Sequence, residues 1–218
     1  MIKADHKKWA RILFDFYIER QFKRSFSSFN LINPPPEIPE GTSVLFTPNH
    51  FSWWDGFLID LICKKLYPSK IFHILMLEEQ LKRYYFFNYL GAYSINLNDA
   101  RSMIESINYT NNLLNKPDNF IAFYPQGEIQ LYGLENIKLK KGFKRVLGAS
   151  NANYLVVPVA FKFQFEEEKL PAIYCRFGEI IKPANISGDY KLFEDSFMFN
   201  IQMLEKFSTE KKRFDTLF

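Results

Sequence analysis

The chain has 218 residues, 47% of them hydrophobic and 18% aromatic, with a formal net charge of +4. That length suits one domain with a sizeable core, and the aromatic excess (24 Phe, 12 Tyr) either fills that core or adds an apolar surface for a greasy ligand. The weak basic balance does not indicate nucleic acid and none is expected; it is compatible with an anionic membrane surface or a phosphorylated substrate.

No signal-peptide pattern opens the chain, and no window offers the ~18 uncharged apolar residues that span a bilayer. Residues 5–24 read as an amphipathic helix. Trp9, Ile12, Leu13, Phe16 and Tyr17 recur at helical spacing, and Lys7, Lys8, Arg11, Arg20, Lys23 and Arg24 supply a basic face. Such a helix either lies on a membrane surface or packs on the domain with its charged side in water. Pro34-Pro35-Pro36 through Gly41 is a stiff connector. Residues 43–48 form a short apolar strand, 55–66 a helix, and 71–77 and 91–97 two further strands. Between these two strands, Tyr84-Tyr85-Phe86-Phe87 serves either the core or a membrane surface. Residues 101–114 read as a helix with Met103, Ile107 and Leu114 on one side. Residues 120–124 form a strand ending at Pro125-Gln126-Gly127. A helix over 142–149, strands over 155–163 and 173–180, and a helical region over 189–212 complete the chain.

Strands alternate with helices, and several strands are continuous apolar runs. The fold class is therefore α/β: a single domain with a mostly parallel central sheet flanked by helices, plus the N-terminal amphipathic helix. The expected organisation is one domain over 1–218, with helix and Pro-rich connector in 1–40 and the site-bearing core in 43–162. In such sheets sites form at the carboxyl ends of strands. Asn49-His50 and Pro125-Gln126-Gly127 both follow strands.

His50 and Asp55 stand five positions apart, about 140° around an ideal helix, so they meet only if His50 lies in a turn before the helix. Ser52-x-x-Asp55 has the form of a capping box and offers that turn. These residues then either cap a helix or pair as a general-base dyad, and one carboxylate can do both. A first-turn Asp is also kept ionised by the helix dipole. His6 and His73 have no ligand-like partners at useful spacing, so no metal site is expected. Cys63 and Cys175, far apart, form no disulfide framework and suit a reducing cytoplasm.

Asn49-His50-x4-Asp55, filled by Phe51-Ser52-Trp53-Trp54, resembles the first signature of the glycerolipid acyltransferase superfamily, the lysophosphatidic acid acyltransferase-like proteins. Gly91-Ala92-Tyr93-Ser94-Ile95 resembles the second block. Phe123-Tyr124-Pro125-Gln126-Gly127-Glu128 resembles the third, usually written Phe-Pro-Glu-Gly-Thr-Arg, and Val157-Pro158-Val159-Ala160 the fourth. The resemblance implies transfer of an acyl group from a thioester, acyl-CoA or acyl carrier protein, to a hydroxyl, with no further cofactor. His50 would be the general base and Asp55 would orient it. Pro125, Gln126, Gly127 and Glu128 would bind the acceptor, with Asn49, Ser52 and Gly91 in support. An imidazole with an ordinary pKa of ~6.5 supplies the neutral base near pH 7. A lipid-like acceptor further implies a peripheral cytoplasmic protein on the inner face of the membrane.

Four positions depart from the family pattern. The arginines expected in the second and third blocks are Leu97 and Ile129 here, and neither can form the bidentate phosphate contact of a guanidinium. The usual Glu and Thr are Gln126 and Glu128. An acceptor without phosphate is therefore expected, unless Arg101, or Lys138, Lys140, Lys141, Lys144 and Arg145, hold the anion instead. The alternatives are a lysophosphatidate or glycerol-3-phosphate acyltransferase, a thioester hydrolase with the same dyad, and a catalytically silent lipid-binding relative.

Overall fold

The computed structural model describes residues 1–133, 135, 137–140, 142–148, 154–209 and 214–218. The strands are β1 (Phe29–Leu31), β2 (Ser43–Pro48), β3 (Ile71–Leu77), β4 (Ala92–Ile95), β5 (Asn119–Ala122), β6 (Tyr154–Gln164), β7 (Ala172–Phe177) and β8 (Asp215–Thr216). They form one sheet in the order β4-β3-β5-β2-β6-β7-β1-β8. The five strands from β4 to β6 run parallel; β7 and β1 run the other way, and β8 turns back antiparallel to β1.

The helices are α1 (Lys8–Ser25), α2 (Asp55–Leu66), α3 (Glu78–Arg83), α4 (Ala100–Leu114), α5 (Phe143–Gly148), α6 (Pro183–Gly188) and α7 (Tyr190–Ser208). They cover both faces, as a buried parallel sheet requires. Strand β2 shows why its residues make a central strand: all six are buried and alternate between two cores. Val44 and Phe46 join Leu58, Ile59 and Ile62 of α2, whereas Leu45 joins the α4, α5 and α7 side with Leu114, Phe143 and Phe197. Phe46 and Phe120 stack across β2 and β5 with ring centres 4.3 Å apart.

Helix α1 is held outside α2. Phe14, Ile18 and Phe22 face inward. Arg11 reaches the buried Asp60 at 2.7 Å, and Lys64 bridges Asp15 and Glu19 at 3.2 and 2.9 Å. The expected apolar stripe is thus the outer one: Trp9, Ile12, Leu13, Phe16 and Tyr17 are each more than half exposed. Arg11, assigned to the basic face, points inward instead, because the carboxylates of α2 and α1 draw it there. Residues 1–7 are not helical but run beside β4, pairing with Ser94, Asn88 and Tyr89.

The short strands β1 and β8, the short helix α3, the 3-10 turn Tyr85–Leu90 and α6 are additions to the predicted elements. The buried side of α4 is largely hydroxylic. Ser102, Ser106 and Thr110 point to the core, and the Ser106 and Thr110 hydroxyls donate to carbonyls four residues back. The last helix ends at Ser208; residues 210–212 and Ala149 of the expected helices lie outside the described residues.

Candidate active site

The first block folds around one buried oxygen. Sheet pairing of β2 with β6 ends at Pro48↔Val159. Asn49, only 3% exposed, continues it with its side chain: Nδ2 donates to Phe161 O at 3.0 Å and Oδ1 accepts from Phe161 N at 2.7 Å. The amide thus pins the chain to β6 and lets His50 leave the sheet. Val157–Ala160, the fourth block, is part of the bed for that anchor.

Asp55 is 0% exposed and opens α2. Its Oδ2 accepts three bonds: from His50 Nδ1 at 2.9 Å, Phe51 N at 2.7 Å and Ser52 N at 2.8 Å. The turn before the helix that the spacing demanded is therefore present. Only half of the capping box forms. Asp55 reaches back to Ser52 N, but Ser52 Oγ takes Trp54 N at 3.1 Å, the nearer donor, and the Asp55 amide bonds the Ser52 carbonyl at 3.3 Å instead.

Burial, not the helix dipole, dominates the carboxyl's titration. Desolvation pushes Asp55 above the usual carboxylate range despite the opposing pull of His50 and the two backbone donors.

The third block supplies the other wall. The Tyr124 ring stacks on the His50 imidazole, with centres 4.2 Å apart and planes at 26°. Gln126, 2% exposed, clamps the His50 main chain from both sides: Oε1 accepts from His50 N at 2.6 Å and Nε2 donates to His50 O at 3.2 Å. The same Nε2 donates to Gln130 Oε1 at 3.0 Å, and Gln130 is itself paired to the Lys138 main chain. The expected acceptor residue Gln126 thus spends its amide on the His50 main chain and on Gln130, and Pro125 is also buried.

Gly127 and Glu128 are exposed, and Gly127 holds φ of 68° under the Lys140 side chain. Lys140 Nζ meets Glu128 at 2.7 Å and holds that carboxyl below its ordinary range, so the added negative charge is matched locally. Gly91 lies apart, separated from β2 by β3 and β5. Its φ is 109°, and a Cβ there would sit 2.2 Å from Phe72 O, so its support is to the fold.

Leu97 and Ile129, which stand where family arginines are usual, are 51% and 54% exposed. They follow β4 and β5 at the carboxyl edge of the sheet, as the exposed Trp53 follows β2. Arg101, Lys138, Lys144 and Arg145 are exposed too; Lys141 lies outside the described residues. Sequence reasoning missed Tyr124 and Gln130. A tyrosine at the block's phenylalanine position was the one signal for Tyr124; Gln130 had none.

A His–Asp contact at the carboxyl ends of the strands of an α/β sheet is an arrangement that several kinds of transferase and hydrolase could use, and the family match separates them. Residues 33–162, more than half of the chain, match the family described as Acyltransferase, and the chain belongs to that family. The crystal structure of the 1-acyl-sn-glycerophosphate (LPA) acyltransferase PlsC from Thermotoga maritima has a similar fold. The TM-score is 0.63 at 18% sequence identity, covering 89% of this chain and 78% of that one. No curated protein matches the sequence.

Proposed function

We propose that this acyltransferase moves a fatty acyl group from acyl-CoA or acyl carrier protein to the hydroxyl of a lipid-like acceptor without a phosphate. The observation that carries the proposal is the 2.9 Å contact between His50 Nδ1 and the buried Asp55. With Nδ1 donating to Asp55, the lone pair sits on Nε2 of a partly exposed ring, where a general base needs it. His50 takes the proton of the acceptor hydroxyl as that oxygen attacks the thioester carbonyl; Asp55 stabilises the imidazolium, and the thiol leaves with the proton. A thioester is already activated, so no acyl-enzyme is needed, and holding two substrates in one cleft supplies much of the rate.

Leu97 and Ile129 are exposed, apolar and without a guanidinium at the two positions where the family has arginines, which supports a neutral or amine-bearing acceptor. Lysophosphatidate is the second reading, because the structurally similar PlsC is named for that substrate. All 218 residues then form one acyltransferase domain, with residues 1–40 as its outer helix and connector and 43–162 as its reacting core. Among the described residues, no helix is long and apolar enough to cross a membrane. The proposed place is peripheral, on the inner face, with the exposed aromatic stripe of α1 and the exposed Tyr84, Tyr85 and Phe86 as the contact.

The test is acyl transfer from labelled acyl-CoA and acyl carrier protein to lysophosphatidate and to neutral and amine-bearing hydroxyl lipids, with His50→Ala alongside. Transfer to an unphosphorylated lipid that His50→Ala abolishes is expected. Robust His50-dependent acylation of lysophosphatidate overturns the acceptor assignment. Thioester loss with water alone makes the protein a hydrolase, and no thioester use at all leaves a silent lipid-binding relative.

A further inference from the structure

Two buried polar atoms beside the dyad lack a hydrogen-bond partner among the described residues: Asp55 Oδ1 and the Tyr124 hydroxyl. Each belongs to a side chain already in contact with His50. Asp55 holds the ring through Nδ1, and Tyr124 lies flat against it at 4.2 Å. The two sense each other, since the Asp55 charge adds to burial in pushing the Tyr124 hydroxyl well above its ordinary range. A carboxylate oxygen and a phenol are complementary, acceptor and donor, and leaving both unmade is costly where both are buried.

We propose that Tyr124 is a positioning residue of the dyad: its ring fixes the plane of the imidazole, and its hydroxyl donates to Asp55 Oδ1 in the working enzyme, directly or through one buried water. The inference rests on the assignment of His50 as base. Its physical point is the location of one proton. Burial raises the proton affinity of Asp55. When His50 takes the acceptor's proton, an over-basic Asp55 draws the Nδ1 proton toward itself and weakens the ion pair. A donor on Oδ1 counters that pull and keeps the carboxylate an anion. Among the described residues, the ionisable side chains in contact with the His50 ring are Asp55 from α2 and Tyr124 from the turn after β5; Gln126 and Gln130, which bond the His50 main chain, are neutral.

Tyr124→Phe keeps the ring and removes the hydroxyl; Tyr124→Leu removes both. The His50 imidazole is titrated by NMR in the wild type and both variants, its signal assigned with His50→Ala, and kcat, KM and Tm are measured. For Tyr124→Phe the titration midpoint is expected to rise by about half to one pH unit. The kcat is expected to fall about tenfold at constant KM, the size of one charge-assisted hydrogen bond, and Tm to fall. Tyr124→Leu lowers kcat further. A Tyr124→Phe protein with the wild-type midpoint, undiminished kcat and equal or higher Tm overturns the hydroxyl's role, because deleting an idle buried hydroxyl gives that result. Equal kcat in the two variants overturns the role of the ring. The NMR and Tm arms need no substrate, so a wild-type midpoint with equal or higher Tm overturns the hydroxyl's role even if no acceptor is turned over and the acyl-transfer assignment itself fails.

Discussion

Gln126→Glu installs the residue usual in the third block of the resembling family, and it is expected to damage this protein. The amide's orientation is forced: reversing it would set Nε2 against the His50 N–H, donor against donor. As it stands, Oε1 takes His50 N at 2.6 Å, and Nε2 serves His50 O at 3.2 Å and Gln130 Oε1 at 3.0 Å. A carboxylate keeps the first bond and turns the other two into oxygen–oxygen contacts in a position 2% exposed. Gln130 cannot flip to help without giving up both of its bonds to Lys138. Two lost bonds at ~1 kcal/mol each, plus the cost of burying the charge, come to about 3–4 kcal/mol at pH 8. Protonation restores one donor, so the folded pKa of the new carboxyl is raised above its unfolded value. The stability of Gln126→Glu is therefore best at low pH and is lost as pH rises through that folded pKa. Urea unfolding at pH 5 and pH 8 reads this directly, and kcat should fall with it because the His50 main chain shifts. Wild-type stability at both pH values, or activity equal to wild type, refutes the clamp.

Asp55→Asn separates stability from chemistry. Phe51 N and Ser52 N hold an oxygen at the Oδ2 position, so the amide oxygen goes there and still accepts from His50. The charge is gone, and kcat should fall about 10²–10³-fold. Burial raises the Asp55 carboxyl, so its ionised form costs stability as pH rises through the folded pKa; the variant's Tm at pH 7–8 is expected to equal or exceed wild type. Gly91→Ala must both hold a φ of 109° and move the Phe72 carbonyl, and is expected to lose ~3 kcal/mol or more by urea unfolding. Ile12→Glu with Phe16→Glu alters side chains 70% and 75% exposed, so Tm should stay put while co-sedimentation with anionic vesicles is lost; unchanged binding removes α1 from the membrane contact.

What the sequence made legible was the part governed by local pattern. The buried runs of β2, β5 and β6 and the His50–Asp55 spacing each carry their answer in adjacent residues. The short strands β1 and β8 do not: they are three and two residues long and exist through pairing with chain far away in sequence. Helix α1 shows a second kind of limit. Helical periodicity locates an apolar stripe, but α1 has two, and which one faces the core is decided by its neighbours. Phe14 packs against Phe57 and Phe87, and Arg11 goes to Asp60, so the stripe that the sequence left open between core and membrane is the one facing solvent.

Gln126 and Glu128 show the limit that matters most for function. In sequence both are polar residues after a strand, and the family resemblance assigns both to the acceptor site. In three dimensions Gln126 is turned inward onto His50 and Glu128 outward onto Lys140. The apparent charge reversal of the third block therefore dissolves into a neutral clamp and a surface ion pair, and a surface pair is worth little. The case against a phosphorylated acceptor then rests on Leu97 and Ile129, exposed and apolar at the carboxyl edge of the sheet. That is a stronger basis than net charge. Lys138 and Lys144 can restore a charge, but a point charge on a flexible stem does not restore the planar two-point grip of a guanidinium, which leaves the exposed Arg101 and Arg145 as the side chains able to offer it.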